Sequence, residues 1–251
     1  MVELDEEFLE EEEIELIVKG GRPFYGAEIG IIMMDTVFPR TIGDLGNFQT
    51  FSVPVVYKVL NGITANELNK NPEGFARKFI EAAKELENEG VKAITTCCGL
   101  AIKYQKEVKE ALNIPFFASI YNLVPLIHSM IASNKVIGIF HDIDRGTDDT
   151  TFNLAGWSQN DIPIARTFME PGAQYARMIK EDLPEVDFKI LEEEVRQMTK
   201  KFVIGNPKLG AILLACTNYG QFSRLIQDIS HVPVFGMVQY VEFVASVVSI
   251  K

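Results

Sequence analysis

The chain has 251 residues, 47 % of them hydrophobic and 24 % charged, with 24 basic and 35 acidic side chains and a formal net charge of −11. That length and composition suit one large folded unit or two lobes and exclude extensive disorder. The acidic balance, with no basic stripe, argues against nucleic acid as a partner and leaves room for a small anionic substrate at a locally positive site.

Residues 1–25 read as an acidic arm. Glu10-Glu11-Glu12-Glu13 is a like-charge run, Ile14-Glu15-Leu16-Ile17-Val18 follows it, and Gly20-Gly21 punctuates the chain. The acidic start lacks the basic region of a signal peptide. No apolar run approaches the roughly 20 residues of a bilayer span. A cytoplasmic protein without a membrane partner is expected. Ile29-Gly30-Ile31-Ile32-Met33-Met34 is a short apolar run of the kind a strand buried on both faces requires. A loop rich in Gly, Pro and polar residues covers 35–50. Residues 53–60, rich in β-branched side chains, predict a strand, and Pro54 places it near an edge. Asn71-Pro72 opens a helix with Phe75, Phe79, Ile80, Ala83 and Leu86 on one face, and Gly90 ends it. A strand at 91–96, a helix at 100–112, a strand at 115–119 and a helix at 124–132 follow.

The rhythm then repeats. A strand at 135–140, a polar loop at 141–150, a strand at 162–168 and a helix at 183–202 are read next. A strand at 210–215, a helix at 221–229, a strand at 232–235 and a helix at 238–248 complete the chain. Strands alternating with helices imply parallel βαβ units, and two similar halves imply two lobes.

The chemistry concentrates in Thr95-Thr96-Cys97-Cys98-Gly99 and Ala215-Cys216-Thr217-Asn218. Each puts a cysteine at the carboxyl end of an apolar strand, just before a helix, on the edge where open α/β sheets bind ligands. A helix N-terminus offers free N–H groups and partial positive charge. It lowers a thiol pKa from about 8.5 and binds carboxylates. One free cysteine is more often a small buried hydrophobe; two in matching positions point to function. Three cysteines, two of them adjacent, make a poor disulfide framework and read as reduced thiols. Gly-x-Ser-x-Gly, Walker, Gly-x-Gly-x-x-Gly, Cys-x-x-Cys and His-Glu-x-x-His motifs are absent, and no metal site is read.

Thr95-Thr96-Cys97-Cys98-Gly99-Leu100-Ala101 and Leu214-Ala215-Cys216-Thr217-Asn218 together resemble the aspartate/glutamate racemase superfamily. That group includes glutamate, aspartate and hydantoin racemases, arylmalonate decarboxylases and maleate isomerases. The segment Ile29 to Thr36, with Phe38-Pro39-Arg40 and Gly43-Asp44-Leu45-Gly46-Asn47, looks like a less characterised branch of it. The resemblance runs from about Glu28 to the C-terminus. It implies an α/β fold of two pseudo-symmetric lobes, each a small parallel sheet flanked by helices. Residues 26–123 plus 235–251 would form the first lobe and 124–234 the second, with the site in the cleft between.

The resemblance also implies a racemase or epimerase that needs no cofactor. Cys98 and Cys216 would serve as thiolate and thiol on opposite faces of a carbon next to a carboxylate or carbonyl. Counted from Gly90, Cys98 takes the family's place better than Cys97. Gly99-Leu100 stands where the family often has Asn-Thr, and Asn218-Tyr219 where it commonly has His. The implied partner is a small carboxylate or amino-acid-like molecule, and a homodimer is expected. A one-cysteine lyase or isomerase of the same fold and a catalytically silent two-lobed binding protein are the alternatives.

Other residues join the candidate site. Asp35 and Thr36 match the family's Asp-Ser, which contacts substrate or a cysteine, and equally suit a turn. Arg40 would pair with a substrate carboxylate through its fork, or sit on the surface. Thr96 and Gly99 flank the first cysteines. Ser119 and Asn122 follow the strand at 115–119 and would line the cleft or form a turn. Thr217 and Asn218 would bind a carboxylate or cap a helix. His128 and His231 read as structural, and His141 ends a strand on the cleft side.

Overall fold

All six residues of β1 (Ile29–Met34) are buried, as an unbroken apolar run demands of a central parallel strand. The computed structural model describes residues 20–71, 74–144 and 147–249. The acidic arm up to residue 19, and Pro72 at the expected helix start, lie outside the described residues. β2 (Val55–Leu60) and β3 (Ala93–Thr96) pair with the two sides of β1, and β4 (Phe116–Phe117) lies beyond β3. Pro54 stands just before β2, on the open edge.

Helices α1 (Ala65–Lys70), α2 (Ala76–Glu89), α3 (Gln105–Glu110) and α4 (Val124–Met130) belong to this half. α2 buries Phe79, Ala82, Ala83 and Leu86, and ends at Gly90, whose φ of 96° returns its N–H to the Leu86 and Glu87 carbonyls. α1 was not expected: six residues are too few to show a helical stripe, although Thr64 caps it by accepting the Glu67 N–H.

The second half repeats the plan. β5 (Val136–His141) sits between β6 (Ile164–Phe168) and β7 (Leu209–Leu214), and β8 (Val234–Phe235) lies beyond β7. The strand orders are β2-β1-β3-β4 and β6-β5-β7-β8, all parallel. This is the two-sheet α/β architecture expected from the sequence. Its helices are α5 (Asp149–Leu154), α6 (Gln174–Glu181), α7 (Phe188–Gly205) and α8 (Ser223–Ser230). α5 starts within the expected polar loop at 141–150 and runs past it, and α6 lies between the expected strand at 162–168 and helix at 183–202, where no element is expected. The helix expected from 183 starts instead at Phe188, because Asp182 (φ 55°) ends α6, Pro184 interrupts, and Asp187 caps α7 through the Lys189 N–H.

α9 (Met237–Val248) returns to the first sheet. Met237, Val241, Val244 and Ala245 are buried in the same cluster as β1 and β3, and the Tyr240 ring lies 4.7 Å from Phe117. Among the described residues, no helix is long and apolar enough to cross a membrane.

Two local details align the halves. The helices expected after β3 and β7 begin as tight 3₁₀ turns, Gly99–Tyr104 and Thr217–Phe222, before α3 and α8. The Cys97 N–H donates to the Ile32 carbonyl and the Ala215 N–H to the Phe140 carbonyl, so each ladder ends in the same register. Cys98 and Cys216 are therefore equivalent positions, each the residue that opens a 3₁₀ turn.

Candidate active site

In each sheet the chain first crosses to one side of the central strand and then to the other. The crevice lies outside the carboxyl ends at that reversal, between β1 and β3 and between β5 and β7. The two crevices open onto one cavity of about 90 Å³, lined by Thr36, Arg40, Cys97, Cys98 and Gly99 from one half and His141, Asp142, Cys216 and Asn218 from the other. The two cysteine turns touch. Thr217 Oγ1 donates to the Cys97 carbonyl at 2.8 Å, and a Cβ on Gly99 would stand 3.0 Å from the Ala215 carbonyl oxygen. Only glycine fits there without displacing backbone.

Cys97 also reaches the cavity. It is 7 % exposed, and its Sγ accepts the Met34 N–H at 3.2 Å. Burial pushes its thiol up, against the opposing pull of Arg40. Cys98 and Cys216 are only partly buried.

The positive charge of the site comes from the long first loop. Arg40 donates to Asp44 Oδ1 and to Thr36 Oγ1, each at 2.8 Å, and its guanidinium lies 4.5 Å above the Phe38 ring. Burial works against this charge, but Asp44 and the Cys97 and Cys216 sulfurs outweigh it and hold Arg40 above its ordinary range. Two of its five N–H groups are thus used within the protein, leaving donors for a carboxylate in the cavity. Asp44 is fully buried and is also met by the Gly46 N–H at 2.7 Å and by Asn218 Nδ2 at 2.7 Å. The loop is pinned to the second half at Gly43, where φ is +100° and a Cβ would meet Gln221 Cα at 2.6 Å. On the far wall Cys216 Sγ donates to Asn218 Oδ1 at 3.3 Å and accepts from Tyr175 Oη at 3.8 Å.

Aromatic rings pack against Cys216 and His141. Tyr175 stacks on Tyr219 at 4.6 Å, and burial raises both phenols, so they remain protonated donors. His141 stacks on Phe168 at 5.0 Å, and Tyr121 Oη lies 3.3 Å from its Nδ1. Among the described residues its Nε2 is buried without a hydrogen-bond partner. Burial pushes His141 down to about 4, so the imidazole is neutral at pH 7. Between pH 6.5 and 4 the unfolded chain binds this proton and the folded chain does not. Unfolding free energy should therefore fall by roughly 3 kcal/mol from this group as pH drops through that window. Urea titrations across pH 4 to 7 should show a shallower decline for His141→Gln than for the wild type.

The structure gathers Thr36, Arg40, Cys98, Gly99, Cys216 and Asn218 around the cavity and leaves the other candidates outside its lining. Asp35 is exposed and accepts the Gly62 N–H at 2.7 Å, which is turn capping. Thr96 is buried; its Oγ1 lies 2.9 Å from the Ala118 carbonyl and accepts the Cys98 N–H, so it shapes the cysteine turn from below. Ser119 caps a turn through the Tyr121 N–H, Asn122 follows in that turn, and Thr217 braces Cys97. Asp44, Tyr121 and Tyr175 were not read as site residues. For Asp44 the available signal was an acid between two glycines in the loop.

No family model matches the chain. In sequence it is 24 % identical over 235 residues to a dimethylsulfoniopropionate lyase from Durusdinium sp. clade D, spanning 86 % of this chain and 73 % of that one. It is 24 % identical over 216 residues to dimethylsulfoniopropionate lyase 7 of Emiliania huxleyi (strain CCMP1516), spanning 82 % of this chain and 63 % of that one. In structure it is similar to an aspartate racemase homologue from Pyrococcus horikoshii OT3, with a TM-score of 0.56, 20 % identity, and 89 % and 100 % of the two chains covered. Glutamate racemase from Francisella tularensis subsp. tularensis SCHU S4 in complex with D-glutamate gives a TM-score of 0.54 at 19 % identity, over 88 % and 81 % of the chains. Unliganded arylmalonate decarboxylase gives 0.55 at 14 % identity, over 88 % and 92 %. The fold is that of the aspartate/glutamate racemases.

Proposed function

We propose that the protein is an enzyme of carbon-acid chemistry in which a cysteine thiolate takes the proton from the carbon next to a carboxylate held by Arg40, and that the reaction it completes is a β-elimination. The observation that carries this reading is the pair Cys98 and Cys216, at equivalent strand ends, on one cavity that also holds a guanidinium. A proton next to a carboxylate is weakly acidic, because its loss spreads further negative charge onto the carboxylate. A fixed cation at those oxygens offsets that charge, and the burial of the Arg40 side chain strengthens the effect. The C–H electron pair then forms the C=C bond, the bond to the β substituent breaks, and the leaving group departs with its electron pair.

The likeness to dimethylsulfoniopropionate lyases over most of the chain supports a sulfonium as the leaving group. Loss of a proton and of neutral dimethyl sulfide from that substrate leaves acrylate. The second cysteine supports one further reading, a racemase or epimerase, in which the same proton removal is followed by proton return from the opposite wall. A proton NMR time course in deuterated buffer with dimethylsulfoniopropionate, aspartate and glutamate tests the assignment. The expected result is growth of the vinyl signals of acrylate from the sulfonium substrate. No product and no loss of α-proton signal from any of the three would overturn it.

A further inference from the structure

Asp44 is a carboxylate with no access to solvent that bonds to two residues of the cavity lining, Arg40 on one side and Asn218 on the other, and so links the cation to the residue beside the thiol. Its Oδ1 takes the Arg40 and Gly46 N–H groups, and its Oδ2 takes Nδ2 of Asn218 at 2.7 Å. An ionised carboxylate only accepts hydrogen bonds. The Asn218 amide therefore has one orientation: its NH₂ faces Asp44 and its carbonyl faces the other way, where Cys216 Sγ lies 3.3 Å from Oδ1. A thiol can donate to that oxygen, whereas a thiolate would meet it with like partial charge. We propose that Asp44 is a positioning residue that turns the Asn218 carbonyl onto Cys216 and so keeps the proton on that sulfur in the resting site.

The inference rests on the proposed thiol chemistry and refines it, because it decides at what pH Cys216 becomes a base. Arg40 and the phenols of Tyr121, Tyr175 and Tyr219 interact with Cys216, and His141, Asp142, Asp182 and the Cys97 and Cys98 thiols line the same cavity. Arg40 and the Tyr175 hydroxyl, 3.8 Å away, favour the thiolate; Asp142 and Asp182 disfavour it. The amide carbonyl, 3.3 Å from Sγ, lies closer to it than the Tyr175 hydroxyl. Removing its constraint lets the NH₂ group turn toward sulfur and reverses the preference.

The test reads the thiol without any substrate. Cys216 alkylation by iodoacetamide is followed against pH, with the peptide resolved by mass spectrometry, in folded wild type, Asp44→Asn, Asn218→Ala and the double variant. In the wild type the midpoint should lie above the ordinary thiol value of about 8.5. In Asp44→Asn and in Asn218→Ala the midpoint should fall, with labelling at pH 7 rising roughly tenfold for each unit. The double variant should match Asn218→Ala, because Asp44 then has nothing to act through. An unchanged midpoint in Asp44→Asn overturns the proposal. So does an equal further fall when Asp44→Asn is added to Asn218→Ala, which would mean that Asp44 acts only through the charge of Arg40. If Asp44→Asn does not fold, Asn218→Ala decides alone, and a wild-type midpoint there overturns the proposal. Failure of the wild type to act on any carboxylate would count against the proposed function and leave these midpoints as they are.

Discussion

Cys98→Ser and Cys216→Ser are expected to lose elimination unequally, one by about 10²–10⁴-fold and the other by about tenfold. A serine hydroxyl replaces sulfur with little change in shape but is far too weak an acid to supply an anion near pH 7. Elimination needs one base, because dimethyl sulfide leaves as a neutral molecule and calls for no proton from the opposite wall. The variant with the larger loss thus identifies the base. Racemisation needs both walls, so under that reading both variants lose inversion alike, while each keeps proton exchange from one enantiomer. Circular dichroism for inversion and NMR for exchange, on the same samples, separate the two. Neither position is fully buried, so both variants should melt close to the wild type.

Arg40→Ala should raise KM about 10- to 100-fold, the worth of one charge-assisted hydrogen-bond pair to a carboxylate. It should also lower stability by roughly 3–5 kcal/mol, because Asp44 stays buried with its charge uncompensated. The two effects are separable. Adding Asp44→Asn removes the stranded charge and should recover much of the stability, but not KM. Arg40→Lys keeps a cation beside Asp44 but has no planar fork to bond Asp44, Thr36 and a substrate carboxylate together, so it should lose less stability than Arg40→Ala while KM still rises. Urea unfolding and steady-state kinetics on the four proteins check this. Recovery of KM together with stability in the double variant would show that Arg40 only supports the fold.

The strands were legible because burial on both faces leaves continuous apolar runs, and Ile29–Met34 and Leu209–Leu214 are such runs. α1, α5 and α6 were not, because six to eight residues give too few turns for a stripe to stand out. The two cysteine turns were visible through their place after apolar strands. Their 3₁₀ start was not, since nothing in the residue pattern separates a 3₁₀ turn from the first turn of an α-helix. Asp35 and Thr36 are adjacent in sequence, yet one caps an exposed turn and the other holds Arg40. Alternation along an extended segment sends neighbours to opposite sides, and nothing in the dipeptide tells which side is the cavity. Asp44 was obscured for a related reason. Its partners Arg40 and Asn218 lie 4 and 174 residues away, and only folding brings the second of them to it.

Removal of a proton next to a carboxylate by a cysteine thiolate in this cavity is the step on which the proposed activity depends. The most direct measurement is proton NMR of dimethylsulfoniopropionate in deuterated buffer at neutral pH with wild type and with the Cys98→Ser/Cys216→Ser double variant. The predicted result is acrylate formation, or loss of the α-proton signal, with the wild type and neither with the folded double variant. Turnover by the double variant at the wild-type rate would contradict the account.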